Sequence, residues 1–426
     1  MKRGVFYIGC LVVLLTACKS NEPTNTRPEE SQKEVVSVVR MPKSTKKGVA
    51  FSINRQDDLL LLSSYISWNY NWANTPWDLA ADWFDVNNVD FCPMCWNGSY
   101  SPDRIRAYVA AHPKTKYLLA FNEPNLTDQA NMTPAQAAAL WNPVVALAKE
   151  LGLKLVSPAM NYGTLAGYSN PIKWLDEFFS QPNVSIDDIA AISVHCYMTS
   201  PEALINYIEM FAKYNKPIWL TEFCAWWDDS GKGSAEQQVN YMSYALNYLE
   251  QSSLVQRYAW FIPRYKSENS FPYMQLLTNG SPSELTKAGN VYCMFSSFDK
   301  NVYMDIQSGF DASQYIATSD YDIQIRPSTD SYEGLMIQAL AQNQWIEYQI
   351  SLSQDASQVQ FRYSTLANTT IAVYIDGVVV NTCDLIKTNS LDDWETASCA
   401  CSLTKGTHKL KIVNMSTMFN LSRISL

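Results

Sequence analysis

The sequence predicts an α/β fold, a (β/α)8 TIM barrel over residues 48–298, followed by an all-β, jelly-roll-like sandwich over residues 302–426. The barrel is predicted because short apolar runs alternate with helix-like segments, which gives eight strand-then-helix units in a length typical of that fold. The sandwich is predicted because the helical period disappears after residue 302. Short runs that alternate apolar and polar residues replace it, as in residues 344–350 and 371–377. A chain of 426 residues is also long enough for two domains.

Each predicted barrel element has a local signal. Apolar runs predict strands at residues 48–52, 66–68, 89–94, 117–121, 154–157, 189–194, 218–221 and 258–262. Helices are predicted at residues 101–111, 133–151, 172–179, 201–214 and 235–251. Ser101-Pro102 and Thr133-Pro134 each place a capping hydroxyl before a proline of the first helical turn. A doubly wound open sheet is the alternative fold, but it usually carries a Gly-rich phosphate turn, and the sequence contains none.

Two glutamates stand at the ends of two predicted strands. Residues 117–121 lead into Asn122-Glu123-Pro124, and residues 218–221 lead into Glu222. Because the carboxyl ends of barrel strands meet at one face, both side chains are expected there. Cleavage of a glycosidic bond requires such a pair, one carboxyl as proton donor and the other as nucleophile or base. For either glutamate alone, a helix cap or a surface ion pair is the alternative.

Other predicted strand ends carry aromatic, amide and imidazole side chains. Such groups stack on sugar rings or hydrogen-bond to hydroxyl groups, and the chain has 13 Trp and 25 Tyr. The candidate substrate-binding residues are Asn71, Trp72, Trp96, Asn122, His195, Tyr197, Trp226 and Trp260. A place in the core is the alternative for each Trp, because Trp is usually partly buried. For His195 the alternative is a packed, hydrogen-bonded side chain.

The overall charge excludes one class of partner. The net charge is -9 and the pI is near 5.0, and no basic stripe is present to neutralise phosphates, so no nucleic acid partner is expected. No cofactor or metal is expected either. Cys92 and Cys95 form a single Cys-x-x-Cys without a second pair at zinc-site spacing. We expect a monomer.

The N-terminal residues indicate export. Residues 1–18 have a basic start, an apolar run and the tetrapeptide Leu15-Thr16-Ala17-Cys18, which resembles a bacterial lipobox with Cys18 as the lipidated residue. We therefore expect an exported protein, lipid-anchored to a bacterial, outer membrane. A plain signal peptide is the alternative. Residues 19–47 are rich in Ser, Glu, Pro and Lys, and are expected to form a flexible tether.

Export also affects the cysteines. Eight of the ten follow the signal peptide, and disulfides form in exported proteins. Cys383, Cys399 and Cys401 lie close together in the sequence and can supply one disulfide. The pairing stays open at the level of sequence.

Residues 48 to about 296 resemble the catalytic domain of glycoside hydrolase family 128, a retaining clan A family. The motifs that carry the resemblance are Trp68-x-Tyr70-Asn71-Trp72, Phe121-Asn122-Glu123-Pro124-Asn125, Val194-His195-Cys196-Tyr197, Pro217-Ile218-Trp219-Leu220-Thr221-Glu222-Phe223 and Arg257-Tyr258-Ala259-Trp260-Phe261. The resemblance implies hydrolysis of β-1,3-glucan, with Glu123 as acid/base and Glu222 as nucleophile. We expect endo action, and a glucan polysaccharide or oligosaccharide as the partner.

The C-terminal residues are similar to carbohydrate-binding module family 6. This similarity rests on residues 344–348, 373–377, 406–410 and 419–421 and on the loop around Trp394. It implies that Trp394 stacks on a sugar and that Asn420 hydrogen-bonds to it. The chain departs from the family pattern at Ala339 and Leu340, where an aromatic residue is common. It also departs at Gln307, Gly309 and Ser422, so the similarity does not imply a calcium site.

The expected reaction is a double displacement. Glu123, protonated at rest, donates its proton while Glu222 attacks the anomeric carbon, at a carboxyl separation of roughly 5 Å. Proximity to charged Glu222 is one way to keep Glu123 protonated, because like charges disfavour a second ionisation. Asn122 is expected to bind the sugar 2-hydroxyl, and Tyr197 to orient Glu222. The alternatives are a catalytically weak surface glycan-binding lipoprotein and a retaining glycosidase that acts on another β-glucan.

Overall fold

The computed structural model describes residues 35–227, 233–265 and 273–426. The expected signal peptide and Cys18 lie outside the described residues. No helix within these three ranges combines the length and the apolar character that a membrane span needs.

The described residues form strands and helices along the whole chain. The strands are β1 Val36–Val38, β2 Lys47–Ala50, β3 Trp68–Tyr70, β4 Asp90–Phe91, β5 Tyr117–Leu119, β6 Lys154–Val156, β7 Ile189–Cys196, β8 Ile218–Phe223, β9 Val255–Trp260, β10 Val302–Asp305, β11 Phe310–Asp311, β12 Ala317–Thr318, β13 Gln324–Pro327, β14 Leu335–Leu340, β15 Trp345–Leu352, β16 Ala356–Ser364, β17 Thr369–Ile375, β18 Val378–Leu385, β19 Glu395–Leu403, β20 Gly406–Asn414 and β21 Phe419–Ser425. The helices are α1 Gln56–Ser63, α2 Asp78–Val86, α3 Pro102–Ala111, α4 Pro134–Ala139, α5 Trp141–Glu150, α6 Pro171–Phe179, α7 Pro201–Met210, α8 Ala235–Gln251 and α9 Lys287–Met294.

Eight parallel strands form one curled sheet in the order β4-β3-β2-β9-β8-β7-β6-β5. Each of the eight predicted barrel strands overlaps one of these. The two outer strands also approach each other, since Met94 and Leu119 form a parallel bridge and Cys95 donates its backbone N–H to Leu119 at 2.9 Å. The arrangement is consistent with a TIM-like barrel, in which the carboxyl ends of all strands point to one face.

The inside of the curled sheet is filled by side chains. Trp68, Tyr70 and Trp219 pack there with small residues of the other strands. Arg257 lies with its guanidinium 4.7 Å from the ring centre of Trp219, and it pairs with Asp90. These contacts occupy the interior below the carboxyl ends of the strands. Space for a ligand is therefore left at the carboxyl face.

One predicted helix is divided in the structure. The pattern of residues 133–151 predicts one helix, but α4 and α5 meet at Leu140. Pro143 explains the break, because a proline has no N–H for the residue four positions earlier, and its ring clashes with that residue's carbonyl. In α5 the proline falls in the first turn, where it is tolerated.

The C-terminal region is a two-sheet β structure. One sheet has the order β1-β10-β15-β20-β17-β18, with β12 added on β15, and the other has the order β13-β14-β21-β16-β19, with β11 added on β21. Most neighbours are antiparallel, whereas β10 is parallel to both β1 and β15. The strands alternate buried and exposed residues, which places the core between the sheets.

The N-terminal segment differs from the expected tether. Residues 36–38 form β1 against β10, and the Met41 N–H donates to Gln314 at 2.8 Å. Lys43 then donates to three main-chain carbonyls, two of them at the ends of α1 and α2. Lysine side chains bind the free carbonyls at helix C-termini favourably. The segment has the composition of a solvated chain, but its described residues are bound to the protein surface.

The sandwich packs against the outer face of α8. Ser243 and Asn247 are fully buried and donate to main-chain carbonyls of β13 and its preceding loop, at 3.1 Å to Ile325 and 3.0 Å to Ile323. Tyr315 donates to the Asn247 side chain at 2.7 Å. The buried polar side chains on this face of α8 thus find their hydrogen-bond partners in the sandwich. These hydrogen bonds fix the orientation of the sandwich on α8.

The eight cysteines of the described residues are all buried, free thiols. The disulfide expected from Cys383, Cys399 and Cys401 is therefore not formed in this structure.

Candidate active site

The two glutamates come from strands that are three positions apart in the curled sheet. Glu222 lies in β8, and Glu123 follows β5 in the loop that begins with Asn122. The Glu123 backbone has a φ of 41°, a left-handed conformation that is unfavourable for a residue with a Cβ. The surrounding loop is held by main-chain hydrogen bonds, from Ala130 to Asn122 and from Met132 to Pro124. This backbone turn projects the carboxyl group over the carboxyl ends of the strands.

Glu123, Glu222 and His195 form one compact group. One potential ligand atom from each of the three lies within 4.8 Å of the others. His195 Nδ1 lies 2.8 Å from Glu123 Oε1 and 3.5 Å from Glu222 Oε2, so the imidazole stands between the two carboxyl groups. The imidazole of His195 thus contacts both carboxyl groups directly.

Glu222 accepts hydrogen bonds from three neutral donors. Tyr70 Oη and Trp72 Nε1 each donate to Oε1 at 2.7 Å, and Tyr197 Oη donates to Oε2 by a short contact. Burial raises the pKa values of Tyr70 and Tyr197 well above their ordinary range, which keeps both hydroxyls protonated as donors. A carboxylate can accept all three hydrogen bonds, whereas a protonated carboxyl would bring its own proton into the same space. Three donors therefore hold both oxygens of Glu222 in one orientation.

Glu123 has a different environment. Its Oε1 accepts a hydrogen bond from Asn161 Nδ2 at 3.1 Å and lies against His195. Burial alone would raise the pKa of Glu123, but the positive charge of His195 and the hydrogen bonds from His195 and Asn161 outweigh burial and lower that pKa below its ordinary value. The lowered pKa runs against the expectation that Glu123 is protonated at rest, for which proximity to charged Glu222 is one possible cause. The imidazole between the carboxyl groups reverses that effect.

His195 is the proton-bearing member of the pair. Burial lowers its pKa, but the negative charges of Glu222 and Glu123 outweigh burial and raise the pKa of the imidazole above its ordinary value. Its Nε2 is buried and has no hydrogen-bond partner among the described residues. The two opposite shifts in pKa both favour a charged imidazole beside an ionised Glu123 in the free site.

A cavity of about 470 Å³ opens above this group. Its walls combine aromatic rings with amide and carboxyl groups, a lining suited to a sugar. The lining residues are Trp72, Trp96, Asn122, Glu123, Leu126, Gln129, Asn161, Tyr197, Glu222, Trp226 and Phe261.

Most of the predicted substrate-binding residues line this cavity: Trp72, Trp96, Asn122, Tyr197 and Trp226. His195 lies beneath it, in contact with both carboxyl groups. Asn71 is absent from the described lining, because its side chain holds a turn through Thr75 and Ala73. Trp260 is also absent from it. The Trp260 side chain is 0% exposed and donates to the Met274 carbonyl at 2.7 Å, so it packs in the core.

Three further polar residues contact the candidate residues of the site but are not among the sequence candidates. They are Tyr70, which binds Glu222, Asn161, which binds Glu123, and Gln129, whose Oε1 accepts from Asn122 Nδ2 at 3.1 Å. Asn161 lies beyond the end of β6. The residue before it, Met160, still forms a parallel bridge to Val194, so pairing with β7 continues past the apolar run that predicts the strand. Gln129 lies in a loop and carries no local signal.

Comparison with known proteins agrees with this geometry. The family model described as the glycosyl hydrolase catalytic core matches residues 48–292, more than half of the chain. The chain belongs to this family. A carbohydrate binding module (family 6) model matches residues 311–426.

Two solved structures are similar to this glycosyl hydrolase over its catalytic core. One is a GH128 (subgroup II) endo-β-1,3-glucanase from Pseudomonas viridiflava, with 39% identity and a TM-score of 0.53, covering 59% of this chain and 98% of that one. The other is a GH128 (subgroup II) endo-β-1,3-glucanase from Sorangium cellulosum, with 33% identity and a TM-score of 0.52, covering 58% and 97%. These matches confirm the resemblance to glycoside hydrolase family 128.

One curated relative also matches, the Alkali-sensitive linkage protein 1 of Schizosaccharomyces pombe. It is 29% identical over 212 residues, which is 46% of this chain. The chain spans only about a third (34%) of that protein's length.

In the family 6-like region, the structure buries both predicted sugar contacts. Trp394 is only 7% exposed, and its Nε1 donates to Thr329 at 3.2 Å. Asn420 accepts from the Ala339 N–H at 2.9 Å and donates to Ser364 at 3.2 Å, so both ends of its amide are used. Neither side chain presents a free surface for stacking or hydrogen bonding to a sugar in this conformation.

Proposed function

We propose that this glycosyl hydrolase is an endo-acting β-1,3-glucanase that retains the anomeric configuration. The observation that carries the proposal is the pair of carboxyl groups with unlike surroundings at one cavity, Glu222 with three neutral donors and Glu123 with an imidazole and an amide. Unlike surroundings separate the roles of two carboxyl groups. One oxygen of each carboxyl group lies within 4.8 Å of the other, which is nearer to the roughly 5–5.5 Å separation of retaining enzymes than to the roughly 6.5–9.5 Å of inverting ones.

The first step is attack by Glu222 on the anomeric carbon. Tyr70, Trp72 and Tyr197 hold its two oxygens, which limits rotation of the carboxylate and fixes the direction of attack. Glu123 gives a proton to the glycosidic oxygen as the bond breaks. In the second step Glu123 accepts a proton from water, which attacks the glycosyl-enzyme and releases Glu222.

His195 holds the proton for the first step. In the free site the proton lies on the imidazole, 2.8 Å from Glu123 Oε1. A bound sugar excludes water from Glu123, and this desolvation raises the pKa of the carboxyl group and draws the proton onto it. The acid form of Glu123 is thus produced when substrate is present.

The substrate class rests on the relatives. Both solved structures described above are named as endo-β-1,3-glucanases. The cavity is consistent with a glucan, because Trp72, Trp96 and Trp226 offer ring faces and Asn122 Oδ1 is a buried acceptor without a partner among the described residues. A sugar hydroxyl that donates to Asn122 Oδ1 would satisfy that acceptor, and we assign the 2-hydroxyl to it.

Two finer features are also proposals. We infer that the curled parallel sheet is a closed (β/α)8 barrel, with the bridge between Met94 and Leu119 as the closing contact. We also infer export and lipidation at Cys18, from the lipobox-like residues 15–18. Incorporation of labelled palmitate into the wild-type chain, and its loss in Cys18→Ser, tests the second inference.

A product profile tests the proposed function. Purified protein is incubated with linear β-1,3-glucan, β-1,4-glucan, mannan and xylan, and released oligosaccharides are separated over time. The proposal predicts a range of oligosaccharides from β-1,3-glucan at early times. Release of glucose alone would indicate exo action, activity only on another polymer would overturn the substrate, and binding without any product would favour the glycan-binding alternative.

A further inference from the structure

The sandwich contains a pair of facing cysteines. Cys383 lies on β18, the last strand of one sheet, and Cys399 lies on β19, the last strand of the other. Both side chains point inward, because they fall on the buried positions of strands whose neighbouring residues are exposed. The two edges are already joined beside the pair, where Asn381 Nδ2 donates to the Ala400 carbonyl at 2.8 Å. Burial and the neighbouring Cys383 both raise the pKa of Cys399, so the two side chains are close neighbours across the gap.

We propose that Cys383 and Cys399 form a disulfide that joins the open edges of the two sandwich sheets when a disulfide oxidant such as oxidised glutathione is present. Strand geometry excludes a disulfide between Cys399 and the third nearby cysteine, Cys401. Cys399 and Cys401 are two positions apart on one strand, so their Cβ atoms are about 6.6 Å apart. A disulfide requires a Cβ separation of about 3.5–4.5 Å.

The chemistry is thiol–disulfide exchange. One cysteine thiolate attacks the oxidant, a mixed disulfide forms and one glutathione thiol leaves. The second thiolate then attacks the mixed disulfide, and the second glutathione thiol leaves. The two cysteines lose two protons and two electrons, and the oxidant gains them.

Burial sets the rate of this reaction. It raises the pKa of Cys399 to about 12 and also raises the pKa of Cys383, so few thiolates exist in the closed structure. Crosslinking therefore occurs during folding or when the two edge strands open. The disulfide would enclose residues 384–398, which include Trp394 and the exposed Ile386 and Leu391. It would shorten the loop that the unfolded chain can explore and hold this segment in the folded protein.

The test uses the full chain equilibrated in a glutathione buffer, with reduced and oxidised forms at oxidising ratio. Free thiols are then alkylated under denaturing conditions, and crosslinked peptides are identified by mass. The expected result is a peptide pair that joins Cys383 to Cys399, with an unfolding temperature raised by roughly 5 °C relative to the reduced protein.

Matched variants separate this crosslink from other effects of oxidation. Cys383→Ser is expected to abolish both the peptide pair and the temperature shift, whereas Cys401→Ser keeps both. If the serine variant does not fold, Cys383→Ala preserves the apolar surroundings and serves the same purpose. Full alkylation of Cys383 and Cys399 at equilibrium, or a crosslink through Cys401, would overturn the proposal. The outcome is independent of glucanase activity.

Discussion

The cavity at the parallel sheet and the family 6-like region contain the same kinds of side chain in opposite states. Asn122 and Asn420 are both buried amides. Asn122 leaves its Oδ1 without a partner in the described part of the chain, whereas Asn420 uses both ends of its amide. Trp226 is 37% exposed at the rim of the cavity, whereas Trp394 is 7% exposed and packed. Unsatisfied polar atoms and exposed rings beside a cavity indicate a ligand site, and the same groups with full partners indicate a structural role.

Residue type alone therefore cannot locate a sugar site, because the same residue types occur in both regions. A buried amide that lacks a partner costs free energy, and a bound hydroxyl can recover it. Asn420 has no such deficit, because its amide already holds β21 to Ala339 and Ser364. Substitutions in the cavity should therefore change catalysis, whereas substitutions of Asn420 and Trp394 should change stability.

Replacing the nucleophile gives the largest effect. Glu222→Gln keeps the shape of the side chain but cannot form the glycosyl-enzyme, so kcat is expected to fall by about 10⁴-fold or more. Sugar release from β-1,3-glucan measures the loss. Glu347→Gln, on the sandwich strand β15, is the matched control and should retain wild-type kcat. Substantial activity in Glu222→Gln would remove Glu222 from its proposed role.

Replacing His195 changes the pH profile. In the wild type the pKa of His195 lies above its ordinary value, so the shared proton is present below that pKa and is lost as the pH rises through it. The alkaline limb of kcat/KM therefore reports this group. In His195→Gln the limb should move to lower pH, because only the carboxyl group of Glu123 can then hold the proton, and kcat should fall by about 10²-fold.

The measurement is kcat/KM on a β-1,3-glucan oligosaccharide from about pH 4 to about pH 9, so that both limbs are covered. Circular dichroism across the same range controls for unfolding. An alkaline limb that does not move in His195→Gln would contradict the proton-holding role.

The two asparagines should respond differently. Asn122→Ala removes the acceptor proposed for the sugar 2-hydroxyl, which should lower kcat/KM by about 10–10²-fold with little change in stability. Asn420→Ala should keep kcat/KM and lower the free energy of unfolding by about 1–3 kcal/mol, since it leaves Ser364 and the Ala339 N–H without their partner. Kinetics and urea unfolding on both variants measure the contrast. Equal effects of the two substitutions on kcat/KM would show that the two asparagines do not differ in function.

The two tryptophans give the smallest change in catalysis. Trp226→Ala should raise KM by roughly 5–10-fold with kcat nearly unchanged, because a rim ring contributes stacking in both ground and transition states. Trp394→Ala should leave KM unchanged and lower the free energy of unfolding by about 3 kcal/mol. Loss of β-1,3-glucan binding by folded Trp394→Ala, measured by affinity electrophoresis, would restore its sugar-contacting role.

Much of the fold was accessible to sequence reasoning because apolar runs bounded by polar residues report burial directly. The strands that carry Glu123 and Glu222 are such runs. The segment 36–46 was not accessible, since the carbonyls that Lys43 binds become available only when α1 and α2 have ended beside it. The break between α4 and α5 was readable in principle from Pro143.

The site was partly accessible for the same reason. Residues at strand ends converge by topology, so Trp72, Trp96 and Tyr197 could be grouped in advance. The position of His195 between two carboxyl groups depends on the spacing of three strands, and that position determines where the proton rests. The burial of Trp394 depends on how its loop packs against Thr329, which is distant in sequence.

The proposed double displacement is tested most directly by the anomeric form of the first product. Wild-type protein is mixed with β-1,3-glucan in deuterated buffer, and proton NMR spectra are recorded within the first minutes. Retention of configuration predicts that the β-anomer of the new reducing end appears first and that the α-anomer follows by mutarotation. Initial appearance of the α-anomer would show inversion, and would contradict the assignment of Glu222 as a nucleophile.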